Sequence, residues 1–385
     1  MFEFWFWQTV ISPHMAALAS ACAARGHRVT YVAQVGMTED RLRQGWAVPK
    51  MPGVVLRLAG TATAMRQAAE DAPPQAVHIC QGLRGNGLVG VAQRTLRQRH
   101  ARQWVVMETV EDSGWRGVIK RLLYSAIFLR WRSGLQGVLA TGWRTPSWVQ
   151  ARGVSPGKVF PFAYFLPETR LPAVQDLLPG GRPFRVLFVG QLIELKRLGL
   201  LLDVLAAVSK SDVPEFCVQV IGSGPLDDAL RATSQRLLGT RAEWMGAMPM
   251  HEVRRRMAMA DVLVLPSRYD GWGAVVSEAL MAGTPAIVSA ACGSAGVVQA
   301  SGTGGVFPVD DREALAALLA RVIHAGPVPV PARRALADWA QCLGADAGAA
   351  YLERILAHAE GRATRPLPPW QPEAGTPGEA VPCAD

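Results

Sequence analysis

Two carboxylates, Asp270 and Glu278, stand eight positions apart in the stretch SRYDGWGAVVSEALMAG, residues 267–283. The apolar runs 262–265 and 286–288 lie on either side, and Gly271, Gly273 and Gly283 lie within. Such runs read as buried parallel strands, and ligands of open parallel sheets bind beyond the carboxyl ends of strands. Asp270 then sits in a rim loop. A helix from near Ala274 to Ala282, stopped by Gly283, puts Glu278 about one turn inside, its side chain leaning back toward the loop. The amides near Gly273, Ala274 and Val275 face the same way and suit phosphate or sugar hydroxyls. Acids for hydroxyls beside amides for phosphate describe a site for a nucleotide sugar. Two blander readings stay open. Asp270 and Glu278 can be an ordinary loop residue and a solvated helix residue, or a hydrolytic pair, for which nothing else in the loop speaks.

The matching cation is Lys196, in FVGQLIELKRLG, just past a strand that ends at Gly190. A lysine there reaches a diphosphate leaving group and stabilises the charge growing on it; a plain loop lysine is the alternative. Gly222 and Gly224, in VIGSGPLDDAL, make a second strand-to-helix turn with close backbone approach, a weak signal alone. Asp227 and Asp228 fall in the first turn of that helix and offset its dipole. EWMGAM ends a short strand at Gly246, and its backbone through Met248 could face a flat base. In the first half, His14 stands at a helix N-terminus and Glu108 at a strand end beside Glu111 and Asp112. These two are the candidates for the acceptor side.

The elements that position these residues alternate strand and helix throughout, which predicts α/β layers with mostly parallel sheets. FEFWFWQTVI reads as a strand, followed by a helix with Ser12 at its N-cap, Pro13 at its first position and Gly26 as its stop. HRVTYVA, AVHIC, QWVVME and GVLATG continue the first sheet; FRVLFVG, EFCVQVIG, AEWMG, DVLVLPS and PAIVSA build the second. A Pro- and Gly-rich segment places the boundary near 170–183. The expected organisation is a first domain over 1–172, a second over 183–345, a C-terminal helix over 346–361, and a disordered Pro-rich tail over 362–385.

Charge separates the halves. Residues 1–180 hold 21 Lys/Arg against 10 Asp/Glu, and the rest hold 19 against 21. A basic half implies an anionic partner. No acidic residue occurs between Asp112 and Glu168, and within that window lies WRGVIKRLLYSAIFLRWRSG, residues 115–134. Cations interleaved with apolar residues, with tryptophans at both ends, suit an anionic membrane surface. The alternative is a core helix whose apolar stripe faces the sheet. No nucleic-acid recognition motif appears. Six cysteines without a CxxC pair fit free thiols in a reducing compartment. The apolar N-terminus, carrying Glu3 and no basic leader, reads as a buried strand, and no spanning helix is expected.

In order and spacing, these motifs resemble the donor domain of the retaining GT-B glycosyltransferases of family GT4, well over residues 186–298 and loosely elsewhere. The family's Glu-x7-Glu element is matched by Asp270 and Glu278, and its G-R-L-x-x-x-K-G turn by GQLIELKR. The string ADVLVLPS…VVSEALMAGTPAIVS is very like the family's. The resemblance implies two Rossmann-like α/β domains facing each other across a cleft. It implies that Glu278 binds ribose hydroxyls, Asp270 the transferred sugar, and Lys196 the diphosphate. The donor loop is Gly271, Trp272, Gly273, Ala274 and Val275, with Gly190, Gln191, Arg197, Gly222, Gly224, Gly246 and Met248 around it. Three departures stand out. Asp270 is one methylene shorter than glutamate. Gln191 replaces a usual arginine. Arg197 replaces a usual glycine and is placed to restore the missing charge.

The expected function is retaining glycosyl transfer of the hexosyl type, in envelope or exopolysaccharide synthesis. The nucleotide-diphosphate sugar is co-substrate, a saccharide or lipid-linked hydroxyl is the acceptor, and neither metal nor cofactor takes part. The expected place is the cytoplasm, at the inner face of the membrane. The competing readings are a catalytically impaired nucleotide-sugar-binding partner protein and a GT-B sugar-nucleotide epimerase. No G-x-G-x-x-G follows the first strand of either half, which argues against a dehydrogenase.

Overall fold

A computed structural model describes residues 1–37, 48–167 and 182–371. The described residues form two compact units, one of residues 1–37, 48–167 and 343–369, the other of 182–342 and 370–371. The expected boundary segment lies almost wholly outside the described residues.

The first unit is a seven-stranded parallel sheet in the order β3-β2-β1-β4-β5-β6-β7. Its strands are β1 (Glu3–Val10), β2 (Arg28–Val35), β3 (Val54–Leu58), β4 (Val77–Gln81), β5 (Gln103–Glu108), β6 (Leu135–Thr141) and β7 (Val159–Phe162). Strands covered on both faces are apolar without interruption, which is why β1 carries Phe4, Trp5, Phe6 and Trp7 in sequence, all buried. On one face Trp5, Trp7 and Val32 pack against Met65 and Leu96, and further along the same face Val105 and Val138 pack against Tyr124 and Phe128, because Trp7, Cys80, Val105 and Val138 stand in register across four strands. Helix α1 (Pro13–Ala24) starts after Ser12 with proline in its first turn, and Gly26 takes φ 87° beyond its end. The Ser12 side chain makes no capping hydrogen bond. The other helices are α2 (Ala62–Asp71), α3 (Val89–Gln98), α4 (Gly114–Trp131) and α5 (Thr145–Gln150).

The second unit is a six-stranded parallel sheet, β10-β9-β8-β11-β12-β13. Its strands are β8 (Phe184–Val189), β9 (Phe216–Ile221), β10 (Ala242–Gly246), β11 (Val262–Leu265), β12 (Ala286–Ser289) and β13 (Gly305–Phe307). Its helices are α6 (Leu198–Val208), α7 (Asp227–Leu238), α8 (Met250–Met259), α9 (Ala274–Met281), α10 (Ala295–Ala300), α11 (Arg312–Ala325) and α12 (Val330–Trp339). Phe188, Val218, Val264 and Ile287 pack under Leu201, Leu205, Leu315 and Leu319. In both sheets the chain reverses winding direction beside the first strand, between β1 and β4 and between β8 and β11. These are topological switch points, where loops splay apart and leave a crevice at the carboxyl ends.

The C-terminal helix, α13 (Ala345–Ala359), belongs to the first unit. Leu166 N donates to Leu343 O (3.0 Å) and Ala345 N to Leu166 O (2.9 Å). Glu353 takes Arg25 (2.8 Å) and His27 (2.7 Å). Residues 362–369, expected as the start of a tail, also belong to the first unit, with Arg365 bonded to Pro156 O at 3.1 Å. Residues 372–385 of the expected tail lie outside the described residues.

Candidate active site

The site in the second unit is built at the β8/β11 switch point. Beyond β8 the chain passes Gly190 and makes a short 3₁₀ turn, Glu194–Lys196, and Arg197 follows in the left-handed region at φ 55°. Arg268 N donates to Leu195 O at 2.9 Å, tying the loop after β11 to that turn. Lys196 Nζ consequently lies 2.5 Å from Asp270 Oδ2, the two side chains 21% and 14% exposed. Two residues expected to share a ligand thus meet directly.

Asp270 is fixed through its backbone. Its N–H donates to Ala291 O (3.3 Å), and its carbonyl accepts from Gly293 N (2.9 Å). Gly273 then turns the chain into α9 at φ 82°, where a Cβ would stand 2.8 Å from Cys292 Sγ. No side chain caps α9, and its first turn holds no acid, so its amide end is electrostatically open to an anion. The glycines of the neighbouring loops have a packing role. A Cβ on Gly222 would lie 1.9 Å from Gly190 O, and one on Gly224 2.5 Å from Leu192 O. Gly246, at φ 68°, has nothing within 4 Å of a Cβ position.

Glu278 is handled differently. It is buried in α9, and its Oε1 lies 3.6 Å from Arg254 Nη2 of α8. Burial pushes its carboxyl up to about 7, with Arg254 pulling the other way. Its ion-pair partner is therefore the Arg254 guanidinium, which the sequence did not single out, rather than Lys196. Within MHEVRRRMAMA, three successive arginines look alike, and only packing tells which one faces α9.

Trp272 is 2% exposed, and its indole N–H donates to Ser277 Oγ at 3.0 Å, so its side chain serves packing and its place in the expected donor loop rests on its backbone. One expectation needs correction. Arg197 does not stand ready to replace the cation missing at Gln191: its Nη2 lies 2.7 Å from Asp310 Oδ1. Its Nη1 is buried without a hydrogen-bond partner among the described residues. Gln191 is exposed, and Met248 half-buried.

In the first unit, the β1/β4 switch point opens into a cavity of about 300 Å³. Both acceptor-side candidates, His14 and Glu108, line it, together with Tyr164, which follows β7. The His14 and Tyr164 rings stack with centroids 3.6 Å apart and planes 8° apart, and Tyr164 Oη donates to Glu108 Oε1. Tyr164 was missed, although its place just past a strand end was the available signal. Two more wall residues, Gln8 and Thr141, hold buried polar atoms (Nε2 and Oγ1) without a hydrogen-bond partner among the described residues. Buried polar atoms in that condition favour a ligand or water that can bond to them.

Two Rossmann-like parallel α/β units, each with a site at its switch point, define the GT-B class of fold. Solved structures agree. Anabaena HepE in complex with UDP matches at TM-score 0.68 and 13% identity, covering 93% of this chain and 100% of that one. The apo lipopolysaccharide outer core galactosyltransferase WaaB matches at 0.64 and 16%, covering 88% and 95%. The family model of glycosyl transferases group 1 matches residues 173–339, the stretch that carries the motifs of the GT4 resemblance. Among curated relatives, the putative colanic acid biosynthesis glycosyltransferase WcaL of Salmonella typhimurium is 31% identical over 36% of this chain and 36% of its own. The amylovoran biosynthesis glycosyltransferase AmsK of Erwinia amylovora is 29% identical over 39% and 38%. Each match thus spans little more than a third of the relative's length.

Proposed function

We propose that this protein transfers a sugar from a nucleoside-diphosphate sugar to a hydroxyl of a saccharide or lipid-linked acceptor, with retention at the anomeric carbon, in envelope or exopolysaccharide synthesis. The observation that carries the reading is the Lys196–Asp270 pair at the β8/β11 switch point, joined through Gly271–Gly273 to the uncapped end of α9. In the reaction the bond from the anomeric carbon to the diphosphate oxygen breaks. A bond from that carbon to the acceptor oxygen forms, and the acceptor proton leaves with the diphosphate. Lys196 and the α9 amides meet the charge growing on the leaving group without a metal ion. Asp270 exchanges part of its bond to Lys196 for sugar hydroxyls, and Glu278 accepts from the ribose. The names of the curated relatives, which concern the biosynthesis of colanic acid and amylovoran, support a polysaccharide as product. The cavity walled by His14, Glu108 and Tyr164, with unsatisfied polar atoms at Gln8 and Thr141, suits a hydroxyl-rich acceptor. The reaction would take place in the cytoplasm, at the membrane's inner face.

The test is release of nucleoside diphosphate by the purified chain over a panel of sugar nucleotides, with and without saccharide acceptors, and with the product's anomeric configuration read by NMR. Acceptor-dependent release sustains the proposal. An altered free sugar nucleotide would identify an epimerase instead. A second reading, nucleotide-sugar binding without turnover, draws on Arg197, whose charge is held by Asp310. It predicts saturable binding and no release.

A further inference from the structure

Helix α4 carries two apolar stripes where one suffices to hold it in place. Gly117, Tyr124 and Phe128 face the protein and are buried. On the opposite side Trp115, Val118, Ile119, Leu122 and Leu129 lie in a row at helical spacing, and Trp115, Leu122 and Leu129 are 68%, 68% and 69% exposed. The helix is held so that this row stays outward. Arg121 Nη1 donates to Asp112 O (2.7 Å), while the Asp112 carboxylate takes Trp148 Nε1 and Arg152 Nη2, both at 2.9 Å. A Cβ on Gly117 would stand 1.7 Å from Asp112 O, so the helix start is pressed onto the preceding loop.

At 100° per residue, Arg116 and Arg130 flank the exposed row on one side and Arg121 and Arg132 on the other. The helix contains no acid, and none follows before Glu168. A second copy of this face would bring the same charges together, which disfavours a homodimer through it. A nucleic acid would match the cations and leave the apolar row in water. An anionic bilayer matches both, with Trp115 at the start of the helix at headgroup depth. The inward side of the same helix contributes Tyr124 to the wall of the cavity at the β1/β4 switch point. One helix thickness, about 10 Å, therefore separates the exposed row from the cavity wall.

We propose that α4 lies in the interface of an anionic phospholipid bilayer with its exposed apolar row toward the lipid, and that the cavity behind it takes the head group of an acceptor anchored in that bilayer. The second half rests on the proposed glycosyl transfer; the first does not.

The experiment is flotation of the purified full chain with vesicles of phosphatidylcholine alone and with about one-third phosphatidylglycerol added. The wild type should float only with the anionic vesicles. The Arg116→Ser/Arg130→Ser variant should bind roughly 25-fold more weakly, about fivefold for each cation. The Trp115→Ser/Leu122→Ser variant should stay in solution. Both should melt like the wild type, because the altered side chains are exposed, and Leu56→Ser, an exposed apolar change on β3, should bind normally. Equal flotation with both vesicle types, flotation with neither, or wild-type binding by either double variant overturns the proposal. So does a dimer in sedimentation that Trp115→Ser/Leu122→Ser dissociates. For the acceptor, a long-chain alkyl glycoside in anionic vesicles is compared with its short-chain soluble counterpart. The Arg116→Ser/Arg130→Ser variant should lose rate on the first and keep it on the second; equal rates on both refute the coupling. Anionic flotation with no transfer to any acceptor would leave the membrane face standing and remove the glycosyl-transfer reading.

Discussion

Lys196 and Asp270 are 74 residues apart in sequence and form an ion pair of 2.5 Å across the switch point of the second sheet. The pair exists because Leu195 and Arg268 are joined through the backbone at 2.9 Å, which brings the turns after β8 and β11 side by side. A lysine so held has its charge in place before a ligand arrives, and its ordering cost is met in folding rather than in binding.

Replacing that lysine should therefore cost catalysis more than binding. For Lys196→Ala, kcat/KM should fall by about 10²–10³, the loss seen when one preorganised donor to a developing anion is removed. Asp71→Ala is the control: Asp71 lies at the end of α2, paired with Arg57 on the surface. Steady-state kinetics of nucleoside diphosphate release measure both. Equal losses would detach Lys196 from the leaving group.

Asp270→Asn separates the two partners. It leaves Lys196 charged and removes the competing carboxylate. Affinity for the bare nucleoside diphosphate should hold or rise, while turnover of the sugar nucleotide falls by roughly tenfold or more as a hydroxyl acceptor is lost. Calorimetry with the diphosphate, set beside kinetics with the sugar nucleotide, distinguishes this from simple damage, in which both would fall.

Much of this arrangement was legible because parallel strands write themselves as apolar runs. The runs of β8, β9, β11 and β12 are buried on both faces, and the residues just past their ends are candidates by topology. β3 and β13 were not read: the first is an edge strand largely exposed, and the second has only three residues. Arg254 and Tyr164 escaped because their importance lies in what they face. The basic stretch at 115–134 was posed as either a surface helix or a core helix. The structure gives it a buried stripe and an exposed one, which a helix of 18 residues has room for.

Tyr164→Phe keeps the stacked ring on His14 and removes the hydroxyl that bonds Glu108. If this trio orients the acceptor, KM for the acceptor should rise about tenfold, the cost of one hydrogen bond to a charged group. KM for the sugar nucleotide should stay put. A variant that shifts the donor KM instead would remove the cavity from the acceptor's path.

Gly222→Ala and Gly246→Ala test whether loop glycines are there for packing or for conformation. Both hold positive φ, at 146° and 68°. Only at 222 would the new methyl group strike a backbone atom, Gly190 O at 1.9 Å. Gly246→Ala should cost about 1–2 kcal/mol, the strain of a left-handed residue. Gly222→Ala should cost distinctly more, because the loop after β8 must move. Melting midpoints rank the two, and the reverse order would contradict the geometry.

The last prediction concerns pH. Burial raises the Glu278 carboxyl to about 7, against 4.5 for an ordinary glutamate. Between those values the folded state binds the extra proton. Stability from this group is therefore complete below pH 4.5 and declines as pH rises through 7. The total change is a few kcal/mol at most. Glu278→Gln cannot titrate and should melt with a flatter pH dependence over that window. Ligand binding should run the other way, because the ribose hydroxyls donate to a carboxylate. Wild-type affinity for a nucleoside diphosphate should climb as the solution passes neutrality, and the glutamine variant should show no such step. Thermal melts and calorimetry across this range read both signs, and a step that persists in Glu278→Gln would assign it to another group.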